Sequence, residues 1–305
     1  MRRFIVIAGP TASGKTRTAV YIAKQLGSEI ISADSMQIYR GLDIGTAKAT
    51  HDETGGVRHH MIDIVDPDED YTAADFQRDA FAQIDNLNVC GVTPIVAGGT
   101  GLYIHSLVYD IRFSGSAGNP ELRQKLTQLA DDKGLATLYN MLSERDPAYA
   151  AIISPSDRKR VIRRLEILET SGQEAYEFQK PRDDIDVAMV GLTMPREMLY
   201  RRIEARVDEM VESGLVEEAR MLYNQFGQAR ALQAIGYKEF ADYFTGNGTL
   251  DEAIRRIKQN TRRYAKRQLT WFRRDGRIRW YDVSQYPCIE DMCQDIMSDI
   301  TRKGF

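Results

Sequence analysis

This sequence predicts an α/β fold: a parallel-sheet core that opens on a phosphate-binding loop and is interrupted by an inserted all-helical domain. Three observations predict it. The first third alternates short β-rich runs with helical patterns, the rhythm of a parallel sheet flanked by helices. The run Gly9-Pro10-Thr11-Ala12-Ser13-Gly14-Lys15-Thr16 sits between the first predicted strand and the first predicted helix and matches GxxxxGK[ST]. From about Arg112 to Asp186 the β signals vanish and helical stretches take over.

In chain order, Phe4 to Ala8 is an apolar run that reads as a strand, followed by a helix from about Gly14 to Leu26. Glu29 to Ala33 is a second strand, Thr72 to Asn88 a helix, and Pro94 to Ala97 a third strand. The insertion, 112–186, begins at Gly/Pro/Ser punctuation, FSGSAGNP, and carries helices over Pro120 to Asp132, Leu135 to Arg145 and Asp157 to Thr170. Val187 to Met194 restores an apolar strand. Helices near Glu197 to Ser213 and Leu215 to Asn224, a long helix near Leu250 to Arg274, a strand Ile278 to Val283 and a terminal helix follow. The α/β core is therefore expected over 1–111 and 187–305.

At 305 residues, 43% hydrophobic and 28% charged, the chain has ample core for one large domain or two modest ones. Cys90, Cys288 and Cys293 include no CxxC pair, which fits neither a disulfide framework nor a zinc site and points to a reducing compartment. The N-terminus lacks the pattern of a signal peptide. The long uncharged stretch Val89 to Tyr109 contains Gly91, Pro94, Gly98, Gly99 and Gly101, which break a helix, so a soluble cytoplasmic protein with no membrane partner is expected.

The net charge of −3 conceals an asymmetry. Between Arg255 and Arg279 eleven Lys/Arg face one acid, Asp275, a local balance of +10 against −13 for the remainder. On a helical wheel Arg255, Arg256, Arg262, Arg263, Lys266, Arg267, Arg273 and Arg274 fall within about 140° of arc, while Ile257, Tyr264, Gln268 and Trp271 lie opposite. An apolar side can then pack on the core while a basic strip roughly 30 Å long tracks a phosphate backbone. Arg158, Lys159, Arg160, Arg163 and Arg164 form a second basic cluster, with 160, 163 and 164 on one helix face.

The glycine loop carries the chemistry. Its backbone N–H groups converge on phosphate oxygens, the helix N-terminus adds positive potential, Lys15 neutralises charge and Thr16 can hold Mg²⁺. The motif leaves open whether the phosphates belong to a nucleoside triphosphate or to another diphosphate. A P-loop kinase or ATPase usually carries an acid at the end of a nearby strand, yet Pro94-Ile-Val-Ala97 runs into Gly98-Gly-Thr100-Gly101. The strand Glu29 to Ala33 ends in Asp34, which fits either a metal ligand or a general base.

With Ser32-Ala-Asp34-Ser35-Met36-Gln37-Ile38-Tyr39, the Gly98-Gly-Thr-Gly-Leu-Tyr103 loop, Asp43-Ile-Gly-Thr-Ala-Lys48, His59-His60, Arg160-Val-Ile-Arg163, Ile235-Gly-Tyr-Lys238 and Thr261 to Trp271 in family order, the chain resembles the bacterial tRNA dimethylallyltransferases over nearly its whole length. The resemblance implies transfer of a dimethylallyl group from its diphosphate to N6 of adenosine 37 in tRNA, with diphosphate released. It implies that Thr11 to Thr16 and Mg²⁺ stabilise the leaving diphosphate, that Asp34 accepts the proton from N6, and that Thr100 touches the adenosine. By the same resemblance Asp34, Ser35, Met36 and Gln37, then Lys159, Arg160, Val161, Ile162 and Arg163, then Gln233, Ala234, Ile235, Gly236, Tyr237 and Lys238, with Arg123, contact tRNA. Arg263, Lys266 and Arg267 join them from the basic strip, and Arg202 and Arg206 match a looser diphosphate-binding pattern. No Cys/His finger follows Trp280, so no zinc is expected.

Such an enzyme draws adenosine 37 from its stack into a channel, and the two basic clusters are expected to grip the anticodon stem-loop from both sides of a monomer. The alternatives are a P-loop small-molecule kinase and an RNA-binding NTPase switch; the first leaves the +10 segment unexplained and the second leaves Asp34 without a chemical role. His59-His60 are read as local structure, since adjacent histidines do not readily face one metal. Asp63, Asp66, Asp68, Glu69 and Asp70 are read as a solvated acidic loop, and Tyr39 and Tyr103 either stack on bases or pack.

Overall fold

A computed structural model of the chain describes residues 1–111, 113, 119–171, 180–227 and 229–305. In order the elements are β1 (Arg2–Ala8), α1 (Lys15–Leu26), β2 (Ile30–Ser32), α2 (His51–Thr54), β3 (His59–His60), α3 (Ala73–Val89), β4 (Ile95–Gly98) and α4 (Gly101–Val108). Then come α5 (Pro120–Lys133), α6 (Leu135–Arg145), α7 (Pro147–Ala150), α8 (Arg158–Ser171), β5 (Ile185–Thr193), α9 (Arg196–Glu212) and α10 (Leu215–Phe226). The chain ends with α11 (Ala241–Phe244), α12 (Leu250–Phe272), β6 (Arg279–Asp282) and α13 (Ile289–Arg302).

All strand pairings are parallel, in the order β3-β2-β4-β1-β5-β6. β1 is central: Ile5 lies opposite Ile95 of β4 and Ala188 of β5, and Phe4 to Ala8 are fully buried, as an apolar run covered on both faces must be. Because β2, β4 and β1 are adjacent and parallel, the loops leaving their C-terminal ends emerge together, the place where open α/β sheets bind ligands.

Two compact units divide the chain: Met1–Val108 with Asp183–Phe305, and Tyr109–Arg182. The first holds the sheet and its covering helices. The second, α5 to α8, has its own core of Leu138, Leu142, Val161 and Leu165. Residue 112 and residues 114–118 of the FSGSAGNP run, where the insertion is expected to open, lie outside the described residues.

The helix ends follow local chemistry. Thr72 with Asp75 and Thr249 with Glu252 form capping boxes that start α3 and α12, and Asn119 caps α5 ahead of Pro120. α4 gave no separate signal in the sequence; it begins at Gly101, the last of the glycines that break the stretch Val89 to Tyr109 into a strand and a short helix. Those glycines answer a crowding demand, since a Cβ on Gly98 would collide with the Ala33 backbone and one on Gly101 with the Trp271 ring. β3, two residues long, gave no strand signal in the sequence. No described helix is long and apolar enough to cross a membrane.

Candidate active site

Three loops build the site. The first leaves β1 at Gly9, whose φ of 150° and whose missing Cβ, which would lie 2.8 Å from Leu192 O, suit glycine alone. Ala12 holds φ 61°, a left-handed backbone that L residues rarely adopt. Gly14 (φ 95°) then starts α1, whose first turn carries no acid. Inside the loop the buried Ser13 hydroxyl has no hydrogen-bond partner among the described residues, the kind of polar atom that a bound anion satisfies.

Lys15 folds back to donate from Nζ to Pro10 O at 2.7 Å. Burial pushes its ammonium down to about 8 from 10.5, with the Arg206 charge acting in the same direction and Asp34 opposing it. Arg206, on α9, is also held below its ordinary value by burial, with Glu53 and Asp34 opposing. Two half-buried cations thus face one site, an arrangement that an anion relieves. Arg202, one turn earlier on α9, is exposed and lies against Met194 Sδ at 4.0 Å.

The second loop follows β2. Asp34 Oδ1 accepts from Met36 N at 2.9 Å, an Asx turn that leaves the other carboxylate oxygen outside this bond. The third follows β4: Thr100 N donates to Ala33 O at 3.1 Å, and Thr100 Oγ1 accepts from Ser35 N at 2.9 Å. These bonds set Thr100 beside the Asp34 turn. Gln37 is a brace, its Oε1 accepting from Ser32 Oγ at 2.9 Å and its Nε2 donating to Thr46 O and Ala47 O.

The oxygen donors suit a hard cation. Thr16, exposed in the first turn of α1, and Asp34 are oxygen ligands of the type Mg²⁺ takes alongside phosphate and water. Among the described residues no group of three or more His, Cys, Asp or Glu is placed to hold a metal by itself. His59 Nδ1 bonds Val57 O at 2.9 Å and His60 Nε2 bonds Glu29 Oε2 at 2.5 Å, so each imidazole has its own partner. The acidic loop is partly paired: Asp63 with Lys48, Asp66 with Arg40 at 2.9 Å, and Asp70 with Arg230 at 3.5 Å. Tyr39 and Tyr103 are buried, and Tyr103 stacks on Phe76 with centroids 4.0 Å apart, so neither ring offers a free face.

Gln233 and Lys238 are exposed, Ala234 and Ile235 half-buried, and Gly236 N donates to Glu239 Oε2 at 2.9 Å. Tyr237 is buried with its hydroxyl donating to Glu218 Oε1 at 2.7 Å. Glu218 also accepts from the backbone N–H of Asp43, Ile44 and Gly45, clamping that loop. Tyr237 therefore shapes this segment from within.

The basic surfaces need correction. On α12 the N-terminal cations are paired: Arg255 with Glu252 (3.8 Å), Arg256 with Asp242 (2.6 Å), Lys258 with Asp208 (2.6 Å) and Arg262 with Glu204. Arg263, Lys266, Arg267, Arg273 and Arg274 are exposed with no ion pair among the described residues, so the free strip is the C-terminal half, about 16 Å of helix. In the helical unit Arg164 is buried against Asp146 (Nε to Oδ2 2.6 Å) and leaves the surface cluster. Arg158 pairs with Asp131 (2.6 Å) and Arg160 with Asp157 (3.4 Å), while Lys159 is exposed. Val161 and Ile162 are buried in that unit's core, so their side chains hold α8 in place rather than meet a ligand. Arg123 and Arg163 share one buried carboxylate, Glu166, at 3.0 Å each. Burial alone would push that carboxyl up, but the two guanidiniums and Asn119 N hold it below its ordinary value.

Sequence reasoning missed Gln268 and Tyr264 as site residues. Gln268 is buried at 5% exposure; its Oε1 accepts from Thr11 N and its Nε2 donates to Gly99 O, both at 2.9 Å. The Tyr264 side chain sits beside Asp34, Thr100 and Gln268, and burial pushes its hydroxyl up. The available signal was a glutamine on the apolar side of an amphipathic helix.

Residues 37–275 match the model of a family described as IPP transferase. The chain is 49% identical to a tRNA dimethylallyltransferase of Geobacillus thermodenitrificans over 286 residues, 92% of this chain and 91% of the relative. It is 48% identical to the enzyme of that name from Alkaliphilus oremlandii over 304 residues, 98% and 97% of the two chains. A crystal structure of the full-length tRNA isopentenylpyrophosphate transferase from Bacillus halodurans superposes with TM-score 0.73 at 42% identity, covering 100% of this chain and 98% of that one. A eukaryotic dimethylallyltransferase acting on tRNA superposes with TM-score 0.81 at 30% identity, covering 98% and 80%.

Proposed function

The chain belongs to the IPP transferase family of tRNA dimethylallyltransferases, and we propose that it transfers a dimethylallyl group from dimethylallyl diphosphate to N6 of adenosine 37 in tRNA. One observation carries this reading: Lys15 and Arg206, two half-buried cations, converge with Asp34 around a loop whose buried Ser13 hydroxyl has no partner among the described residues. The cations and the start of α1 suit a diphosphate, and the carboxylate suits a base on the opposite side of the reacting bond.

In this mechanism Gly9 to Thr16 seat the diphosphate, with Lys15 and Arg206 against its oxygens. Thr16 would hold Mg²⁺ at this loop, and the ion would supply further stabilisation of the charge that grows on the leaving group. The C–O bond of the allyl group breaks, the N6 lone pair forms the new C–N bond, and Asp34 takes the N6 proton. Thr100 and Ser35, joined at 2.9 Å, position the adenine at the Asp34 turn. Adenosine 37 must leave its stack to arrive there. Arg263, Lys266 and Arg267 on one unit and Lys159 on the other, unpaired among the described residues, are the cations that take RNA phosphates; Arg123, Arg160 and Arg163 join them where a phosphate displaces Glu166 or Asp157, while Gln233 and Lys238 offer polar contacts. The enzyme acts as a cytoplasmic monomer.

The test is to incubate purified protein and Mg²⁺ with unmodified tRNA and labelled dimethylallyl diphosphate, with ATP in a parallel reaction. Label in tRNA with diphosphate released supports the reading. Released γ-phosphate without label assigns the loop to a kinase or NTPase.

A further inference from the structure

α12 (Leu250–Phe272) buries Ala253, Ile257, Ala265, Gln268 and Phe272, and Gln268 is the one polar side chain among them. A hydrocarbon would fill that space. A carboxamide instead offers one acceptor and two donors on a single plane, and here it uses both ends on backbone groups of different loops. Thr11 N, in the loop after β1, donates to its oxygen; its nitrogen donates to Gly99 O, in the loop after β4. Gly99 has no side chain because a Cβ there would meet the Gln268 amide, and Gly101 is bare where Trp271 covers it. Thr100 therefore stands between two glycines pressed by α12. Its hydroxyl accepts from Ser35 N at 2.9 Å, next to Asp34.

We infer that Gln268 is a positioning residue that locks the diphosphate loop and the Thr100 loop in register. The kinetic consequence rests on the transferase reading proposed above. In that reaction the leaving oxygen is held by the loop after β1 and the attacking nitrogen by the loops after β2 and β4. Displacement requires the two in line, and a misplacement of 1 Å can cost about a hundredfold in rate. The strut Thr11, Gln268, Gly99 and Thr100 ties one half of the reaction to the other outside the sheet register. Gln268 touches neither substrate in this assignment and acts through the loops.

The experiment uses the full chain and the variants Gln268→Met, which keeps the bulk and removes both bonds, and Gly99→Ala, which forces the amide aside. Three quantities are read for each: affinity for inorganic diphosphate with Mg²⁺, affinity for unmodified anticodon stem-loop RNA, and the single-turnover rate of label transfer. Gln268→Met is expected to lower that rate about tenfold or more while both affinities stay within about threefold, as loss of register without loss of binding requires. A rate within twofold of wild type overturns the inference. So does a loss of diphosphate affinity matching the loss of rate, which would make Gln268 part of the diphosphate site alone.

A second readout does not depend on transfer. Adding Mg²⁺ and inorganic diphosphate to the wild type is expected to slow amide hydrogen exchange at 98–101 and 34–37 as well as in the loop it occupies. In Gln268→Met and in Gly99→Ala the slowing stays within 9–16. Equal transmission in wild type and variants overturns the strut, including where Gln268→Met folds poorly and Gly99→Ala alone is measured. A wild type that transmits protection yet labels no tRNA overturns the transferase reading and leaves the strut standing.

Discussion

Lys15 links the site to pH in a way that a single titration exposes. Its ammonium ordinarily loses its proton at 10.5, but burial and the neighbouring Arg206 bring that to about 8 in the free protein. A bound diphosphate favours the charged form, so binding is full below pH 8 and weakens as pH rises through that value. If only the protonated form binds well, affinity for inorganic diphosphate with Mg²⁺ falls about tenfold between pH 7 and pH 9, approaching one decade per pH unit at the alkaline end. Arg206→Met removes a repelling charge and moves the fall to higher pH, while Asp34→Asn removes an attracting one and moves it to lower pH. Isothermal calorimetry across pH 6.5 to 9.5 reads all three profiles, and Lys15→Met subtracts the ionisation of the ligand itself. Wild-type and Lys15→Met profiles of the same shape would refute the reasoning, as would an Arg206→Met midpoint that does not rise.

The other predictions concern separate parts of the molecule. Asp34→Ala lowers the single-turnover rate about 10²- to 10⁴-fold, the range for a lost general base, with tRNA affinity spared in filter binding. Charge reversal at Arg263, Lys266 and Arg267 weakens tRNA binding and flattens its salt dependence by roughly 0.7 to 0.9 for each RNA phosphate no longer neutralised, whereas reversal at the paired Arg255 and Arg256 changes the slope little. Arg164→Met strands the Asp146 carboxylate in the interior of the helical unit and costs about 3 to 5 kcal/mol, read by urea denaturation of the full chain.

Much of the core was legible because the sequence signals are local. The run Phe4 to Ala8, the loop Gly9 to Thr16 and the helix after it lie within one continuous stretch, and each is where the pattern puts it. α12 was legible from its charge and its apolar stripe. What failed depends on partners distant in sequence. Nothing along α12 shows that Arg256 finds Asp242 or that Arg262 finds Glu204, so the basic strip looked twice its free length. Arg164 lies on a basic helix face in projection, yet Asp146, eighteen residues earlier, takes it inside. The glycines of 98–101 were legible as breakers, but not as the sites of close approach they are, because crowding by Ala33, Gln268 and Trp271 exists only in three dimensions. At the candidate site Lys15, Asp34, Thr100 and Arg206 were legible from motif and resemblance. Gln268 was visible only as a polar residue on the wrong face.

The central claim is that the P-loop holds a prenyl diphosphate so that adenosine 37 can displace it. Nucleoside mass spectrometry of a tRNA transcript after reaction with dimethylallyl diphosphate and Mg²⁺ tests it most directly. The account predicts one dimethylallyl group in place of one N6 hydrogen at adenosine 37, absent when guanosine replaces that base and lost in step with rate in Asp34→Ala. An unmodified adenosine 37 under conditions where the protein binds both tRNA and diphosphate would contradict it.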